Sequence, residues 1–284
     1  MSENIVYEKP DFYGIIENPL KLHANREPSR SFYIPYKCRC EAIGGNRSRG
    51  GRYKNLNGDW DFYYFTSVYA AEDALAAGLC GSTCKKIKVP SNWQMYGYDI
   101  PQYVNSDYPI PFDPPYVPDE SPAGIYRRSF VLPETWREMD IYINFDGVDT
   151  MFFLWINGTF IGMSQGAHLP SEFYIGGALR QGKNDITVMV CKWAWSTYLE
   201  DQDKYRLSGI FRTVCLTARP KKHIRDIFIK YKLKFDGEKC VSAELTAELD
   251  FIGGVSAVEA ELYDDNFDIT ESCEAQIGER SGIV

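Results

Sequence analysis

The sequence of 284 residues predicts an all-β chain whose main domain is a β-sandwich of jelly-roll type. Three observations carry this. From Tyr53 onward, short apolar or alternating runs follow one another with turn signals between them, which is the pattern of a two-sheet fold. Only one helical pattern interrupts them. A long segment, 89–122, carries prolines at 101, 109, 111, 114, 115, 118 and 122, which excludes helix and interior strand and leaves an ordered loop.

In chain order, 1–52 reads as an arm rather than a core element, with polar residues, scattered prolines and the loop GGNRSRGG at Gly44. Although glycine-rich and basic, that loop lacks the preceding strand and following helix that a phosphate cradle needs, so it reads as a solvated loop. In LNGDWDFYYF the side chains Trp60, Phe62 and Tyr64 alternate with Asp59, Asp61 and Tyr63, the period of a half-buried strand. Ala70 to Leu79 is alanine-rich with a glycine near its end and predicts a short helix. Further strands are expected at 85–89, 125–132, 140–145, 150–156, 159–163, 185–193 and 211–217. Asn157-Gly158 between two apolar runs signals a tight hairpin. The same residues form a glycosylation sequon, but the opening MSENIVYEKPDFYG has no basic region followed by an apolar one, so the hairpin reading prevails. A boundary is expected at ARPKK, 218–222. Beyond it four alternating segments, 223–234, 239–251, 256–263 and 268–277, predict more strands.

Composition narrows the function. No run of eighteen apolar residues occurs, so no membrane helix is expected. A net charge of −8 argues against nucleic acid as a partner, which would want a basic face. The eight cysteines are scattered and only three histidines accompany them, which fits neither a zinc site nor a disulfide framework. Reduced thiols in a cytoplasmic protein are expected.

Two stretches concentrate polar chemistry. In YLEDQDKYRLSGIFR, 198–212, Glu200, Asp201, Gln202 and Asp203 stand between apolar runs and are followed by Arg206 and Arg212. Carboxylates placed there need a counter-charge, a metal ion or the hydroxyls of a polar ligand. In the proline-rich segment, Trp93, Tyr96, Tyr98, Tyr103, Tyr108, Phe112 and Tyr116 alternate with Asn92, Asp99, Asn105 and Asp107. Rigid aromatic faces beside short amides and carboxylates suit a flat ligand with polar edges, such as a sugar ring. The alternative is a loop whose aromatics pack only on its own domain.

These residues carry a family resemblance. PSNWQMYGYDIPQYVNSDYP, FDGV at Phe145, LWING at Leu154, LPSEF at Leu169 and YLEDQDKYRLSGIFR occur in the order and spacing of glycoside hydrolase family 2, in its β-galactosidase branch. The resemblance runs from about Glu17 to Pro220. It implies an arm at 1–52, a galactose-binding-domain-like jelly roll at 53–219 and the start of an immunoglobulin-like sandwich at 220–284. That sandwich is expected to be incomplete, since such a domain needs about seven strands and about 100 residues.

The resemblance also implies a division of labour. Retaining glycosidases use two carboxyl groups about 5 to 5.5 Å apart; in this family both lie on a later (β/α)₈ barrel, so no catalytic residue is assigned in this chain. Asn105 matches the asparagine that reaches the galactosyl site, and Asp203 matches the aspartate that contacts the sugar and ligates a sodium ion. Sodium and magnesium are then cofactors of the complete enzyme, neither expected to bind this chain tightly. The implied partners are a galactoside substrate, the remaining domains of the same polypeptide and, when complete, further copies in a homo-oligomer. The residues alone leave alternatives open: an Asx-type turn for Asn105, and for Asp203 an ion pair with Arg206 or Arg212. Glu200 and Asp201 read as structural carboxylates fixing the loop through Arg206, and His168 as a surface or packing residue. A stand-alone carbohydrate-binding module, or a β-glucuronidase or β-mannosidase fragment, is the competing functional expectation.

Overall fold

The computed structural model describes residues 5–200 and 202–276. The chain forms two compact units, one from Met1–Glu27, Lys54–Arg137 and Ile141–Thr217, the other from Pro28–Tyr53, Glu138–Asp140 and Ala218–Val284.

The first unit is an all-β sandwich. Its larger sheet orders seven strands as His23–Ala24, Thr159–Gln165, Met151–Ile156, Lys183–Cys191, Ala123–Val131, Gly58–Phe65 and Lys85–Val89. Every neighbouring pair is antiparallel. A smaller sheet orders Ser171–Tyr174, Asp140–Phe145, Val214–Arg219 and Tyr53–Asn55. Aromatic contacts join the layers: Phe152 meets Phe145 at 4.8 Å and Phe173 at 5.9 Å between ring centroids.

The central strand Met151–Ile156 explains its own composition. MFFLWI is apolar throughout because the strand is buried on both faces. Phe152 points between the sheets, whereas Met151, Phe153 and Trp155 join a cluster on the outer face with Phe12, Ile15, Ile16, Val68, Ala71 and Leu75. Each large apolar side chain removed from water there contributes about 1.5–3 kcal/mol.

Part of that outer cover corrects the sequence reading of 1–52. Its first half is no external arm: Phe12, Ile15 and Ile16 are buried in the core cluster, and His23–Ala24 adds an edge strand against Met163 and Ser164. The Trp155 indole donates to the Glu8 carbonyl at 2.7 Å, and the Glu8 carboxylate accepts from Phe160 N–H at 2.8 Å. The helix spans Val68–Ala76, earlier than its alanine-rich pattern suggests, because the Ser67 hydroxyl caps it by accepting from Ala70 N–H at 3.2 Å. The hairpin at Asn157-Gly158 is present, with φ of 53° and 89°. Its Asn157 amide is fully employed, donating to the Ala178 carbonyl and Asn184 Oδ1 and accepting from Asp185 N–H.

The second unit contains the four expected strands as two hairpins, His223–Asp236 with Lys239–Ile252 and Ala257–Tyr263 with Ile269–Gln276. Alternation sorts the first hairpin into an apolar face, with Ile229, Tyr231 and Leu233 opposite Ala247, Leu245 and Ala243, and a charged face on which Lys230 and Lys232 pair with Glu248 and Glu244. Within the same unit, Ser31 N–H donates to Asp226 and an Arg225 guanidinium nitrogen to the Pro28 carbonyl. The loop at Gly44 contains a turn of 3₁₀ helix, Arg47–Arg49, capped by the Asn46 side chain.

Candidate functional site

The two stretches that concentrate polar chemistry are paired with each other. Gln102–Val104 and Lys204–Arg206 form a two-stranded antiparallel ribbon with Tyr103 opposite Tyr205 and Val104 opposite Lys204. One step further along the ladder lie Asn105 and Asp203. In a strand, side chains two residues apart share a face, so Tyr103, Asn105, Asp203 and Tyr205 stand on the same side of the ribbon. The two rings lie 5.4 Å apart and remain 57% and 64% exposed.

The Tyr103 hydroxyl donates to Asp203 Oδ1 at 2.5 Å. This bond, slight burial and the carboxylate charge raise the phenol pKa above its ordinary value, while the Asn105 amide acts on the same hydroxyl in the opposite sense. The structure therefore places the two residues singled out from sequence around one phenol. Neither arginine takes the role of partner proposed for Asp203 from sequence alone. Arg206 Nη1 donates to the Glu200 carbonyl at 2.5 Å, and Arg212 Nη1 to the His168 carbonyl at 3.0 Å.

The Glu200 carboxylate is held by a different bond from the expected one to Arg206. Its carboxylate accepts from Ala167 N–H at 2.8 Å, while its carbonyl accepts from Arg206. Burial first, and then the Asp149 charge, raise its pKa, with the Ala167 bond, Lys204 and Arg206 opposing. Asp201 lies outside the described residues. His168 is exposed, with its ring 5.4 Å from that of Phe211, as a packing residue would be.

Both stretches are tied down by groups that sequence reasoning did not single out. Lys192 Nζ meets Asp99 Oδ2 at 2.5 Å with side chains only 4% and 14% exposed. A lone lysine in the apolar run VMVCKWAW was the available signal, since a buried charge needs a partner. Gln94 donates to Asp99 and accepts from Ser208 N–H at 3.0 Å, linking the start of the proline segment to 206–212. The Tyr198 hydroxyl lies 2.9 Å from the Pro111 carbonyl and 2.6 Å from that of Tyr116, and receives Asp113 N–H at 3.3 Å, so one side chain pins the far bend of the loop. Below the ribbon, Lys204 Nζ faces Asp149 Oδ2 at 3.5 Å. Among the described residues no three His, Cys, Asp or Glu side chains converge on a metal-sized space.

Residues 53–220 match the profile of the glycosyl hydrolases family 2, sugar binding domain, and the chain belongs to that family. Among its relatives, the β-galactosidase of Actinobacillus pleuropneumoniae is 39% identical over 250 residues, covering 88% of this chain and 24% of that protein. The β-galactosidase of Staphylococcus xylosus is 40% identical over 248 residues, covering 87% and 24%. The chain thus spans about a quarter of the length of the relatives it matches. Among solved structures, a β-glucuronidase of Bifidobacterium dentium superposes with a TM-score of 0.63 at 20% identity, covering 82% of this chain and 41% of that one. One from Ruminococcus gnavus gives 0.60 at 19% identity, covering 82% and 38%. These superpositions establish a shared fold.

Proposed function

We propose that this chain is the sugar-binding portion of a β-galactosidase that hydrolyses terminal non-reducing β-D-galactosides, such as lactose, with retention. The observation that carries the reading is the shared face of Tyr103, Asn105, Asp203 and Tyr205 on the ribbon. An amide that both donates and accepts, beside a carboxylate that accepts, matches the alternating hydroxyls of a hexose. The two exposed rings supply apolar surface of the kind that packs on a sugar face. The galactosidase relatives, at 39% and 40% identity, favour a galactoside over the glucuronides of the more distant structures.

In this reading the chain orients the sugar and the catalytic carboxylates belong to a (β/α)₈ barrel in the remaining polypeptide. Holding the sugar in the reactive geometry contributes to transition-state stabilisation. Asp203 has an oxygen beyond the one that Tyr103 engages, and a hard cation such as sodium accepts a carboxylate oxygen together with carbonyls and waters. Sodium there would screen negative charge beside the sugar. The magnesium of the complete enzyme takes its ligands from the remaining polypeptide, and the complete protein is a homo-oligomer. The eight free cysteines support a cytoplasmic location. Among the described residues no helix is long and apolar enough to cross a membrane.

The test is hydrolysis of a chromogenic β-galactoside by these 284 residues and by the product of the reading frame read on past Val284. Turnover is expected only in the longer product, where Asp203→Ala lowers kcat/KM by about 100-fold and Glu200→Gln by much less. Turnover by the shorter chain would place the catalytic carboxylates within it, and equal losses would overturn the division of roles. The exposure of Tyr103 and Tyr205 also favours a second reading, a stand-alone carbohydrate-binding module. Calorimetric binding of galactose by the 284 residues alone, with no turnover in any longer product, would select it.

A further inference from the structure

Six of the eight cysteines are exposed, and two of them form a pair. Cys38 and Cys40, in the run Lys37-Cys38-Arg39-Cys40, hold their sulfurs 2.7 Å apart. The backbone builds this approach. Cys38 is extended, with φ −148° and ψ 164°, and the helical turn Arg39–Ile43 that follows folds Cys40 back against it. Arg39, between the two, is drawn aside by Glu261 at 3.3 Å and by the Tyr263 ring, so its side chain does not cover the sulfurs.

The pair is asymmetric. The Cys40 thiol, and then Glu41 N–H, stabilise a thiolate at Cys38 and lower its pKa, against partial desolvation and the Glu41 charge. Cys40 is raised, first by its bond to Cys38 and then by desolvation and the Cys38 charge. Among the other exposed cysteines, Cys84 contacts Asp61 Oδ1 at 3.6 Å and Cys240 contacts the Ser242 carbonyl at 3.5 Å, so each faces an acceptor oxygen instead of a second thiol.

We propose that Cys38 and Cys40 are a redox-active dithiol that reacts with a low-molecular-weight disulfide and closes to an intramolecular disulfide. The Cys38 thiolate attacks one sulfur of the small disulfide, forming a mixed disulfide and releasing one thiolate. Cys40, on losing its proton, attacks Cys38 Sγ and expels the second. Two protein thiols are oxidised and one small disulfide is reduced to two thiols; excess small thiol reverses the sequence. The neighbouring sulfur, already in contact, makes the second step intramolecular.

The experiment treats the full chain with glutathione disulfide, quenches with an alkylating agent at timed intervals and maps the peptides by mass spectrometry. The Cys38–Cys40 peptide should lose two hydrogens, carry no glutathione and react about tenfold faster than Cys80, Cys84, Cys240 or Cys273. In Cys40→Ser a stable glutathione adduct should accumulate at Cys38, whereas in Cys38→Ser the remaining Cys40 should react no faster than the other four. In the unaltered chain, stable adducts on both residues, or a rate equal to that of the other exposed cysteines, would overturn the proposal. The unaltered chain is decisive by itself, whatever the variants do to folding.

Discussion

Tyr103 shows how much one hydroxyl can organise. Its phenol faces Asp203 and Asn105 together, and its raised pKa records the carboxylate first. Asp203→Asn removes that charge, so Tyr103 should ionise at lower pH than in the unaltered chain; a phenolate absorbance titration of the two proteins, with Tyr103→Phe as reference, reads the difference. An unchanged titration would mean that the bond does not hold in solution. Glu200 gives a second prediction. Its folded pKa lies above the ordinary 4.5, so the folded state binds the proton more tightly than the unfolded state. Its unfavourable contribution is absent below that ordinary value and grows as pH rises through the window up to the folded pKa. Glu200→Gln keeps an oxygen for Ala167 N–H without the charge. Urea melts should therefore show the variant gaining stability relative to the unaltered chain as pH rises through the window, and no difference in slope would refute the assignment. Asn105 and Asp203 were legible in the sequence only through their long flanking motifs. The partner of Asp203 was not, because a tyrosine 100 positions away leaves no local pattern.

Elements with a clear period were legible, and those fixed by single long-range contacts were not. MFFLWI, DIYINF and the Asn157-Gly158 turn announce strand and hairpin by composition, and each stands where expected. The ribbon Gln102–Val104 with Lys204–Arg206 was hidden, since three residues per strand are too few to show alternation. Likewise the strand expected from Phe211 begins at Val214. Gly209 shows what the intervening turn requires. It has φ of +126°, and a Cβ there would sit 2.7 Å from the Tyr126 hydroxyl oxygen and 3.0 Å from the Ser91 carbonyl oxygen. Gly209→Ala should cost about 1–3 kcal/mol, read as a lower urea midpoint at unchanged m-value. A neutral result would mean that the 91–92 and 209 backbones separate readily.

At the scale of the molecule, the all-β class and the strands on either side of 218–222 followed from periodicity, whereas the role of the first residues did not. Phe12, Ile15 and Ile16 lie in and beside a helix of four residues, Tyr13–Ile16, too short to display a helical repeat. Their burial depends on covering the outer face of Met151–Ile156, a sheet more than a hundred positions later in the chain. Phe12→Ala should therefore lower stability by about 3–5 kcal/mol, as a core residue does, and a loss within a few tenths in a denaturant melt would restore the reading of 1–52 as an arm. The pairing of Gln102–Val104 with Lys204–Arg206 bears on how such a chain can change over evolution. Asn105 and Asp203 keep their spacing through backbone rungs between two strands. The loop beyond Asn105 can lengthen or shorten between lineages while the distance between these two residues stays the same. A change in the length of that loop is thereby uncoupled from the relative placement of the two side chains.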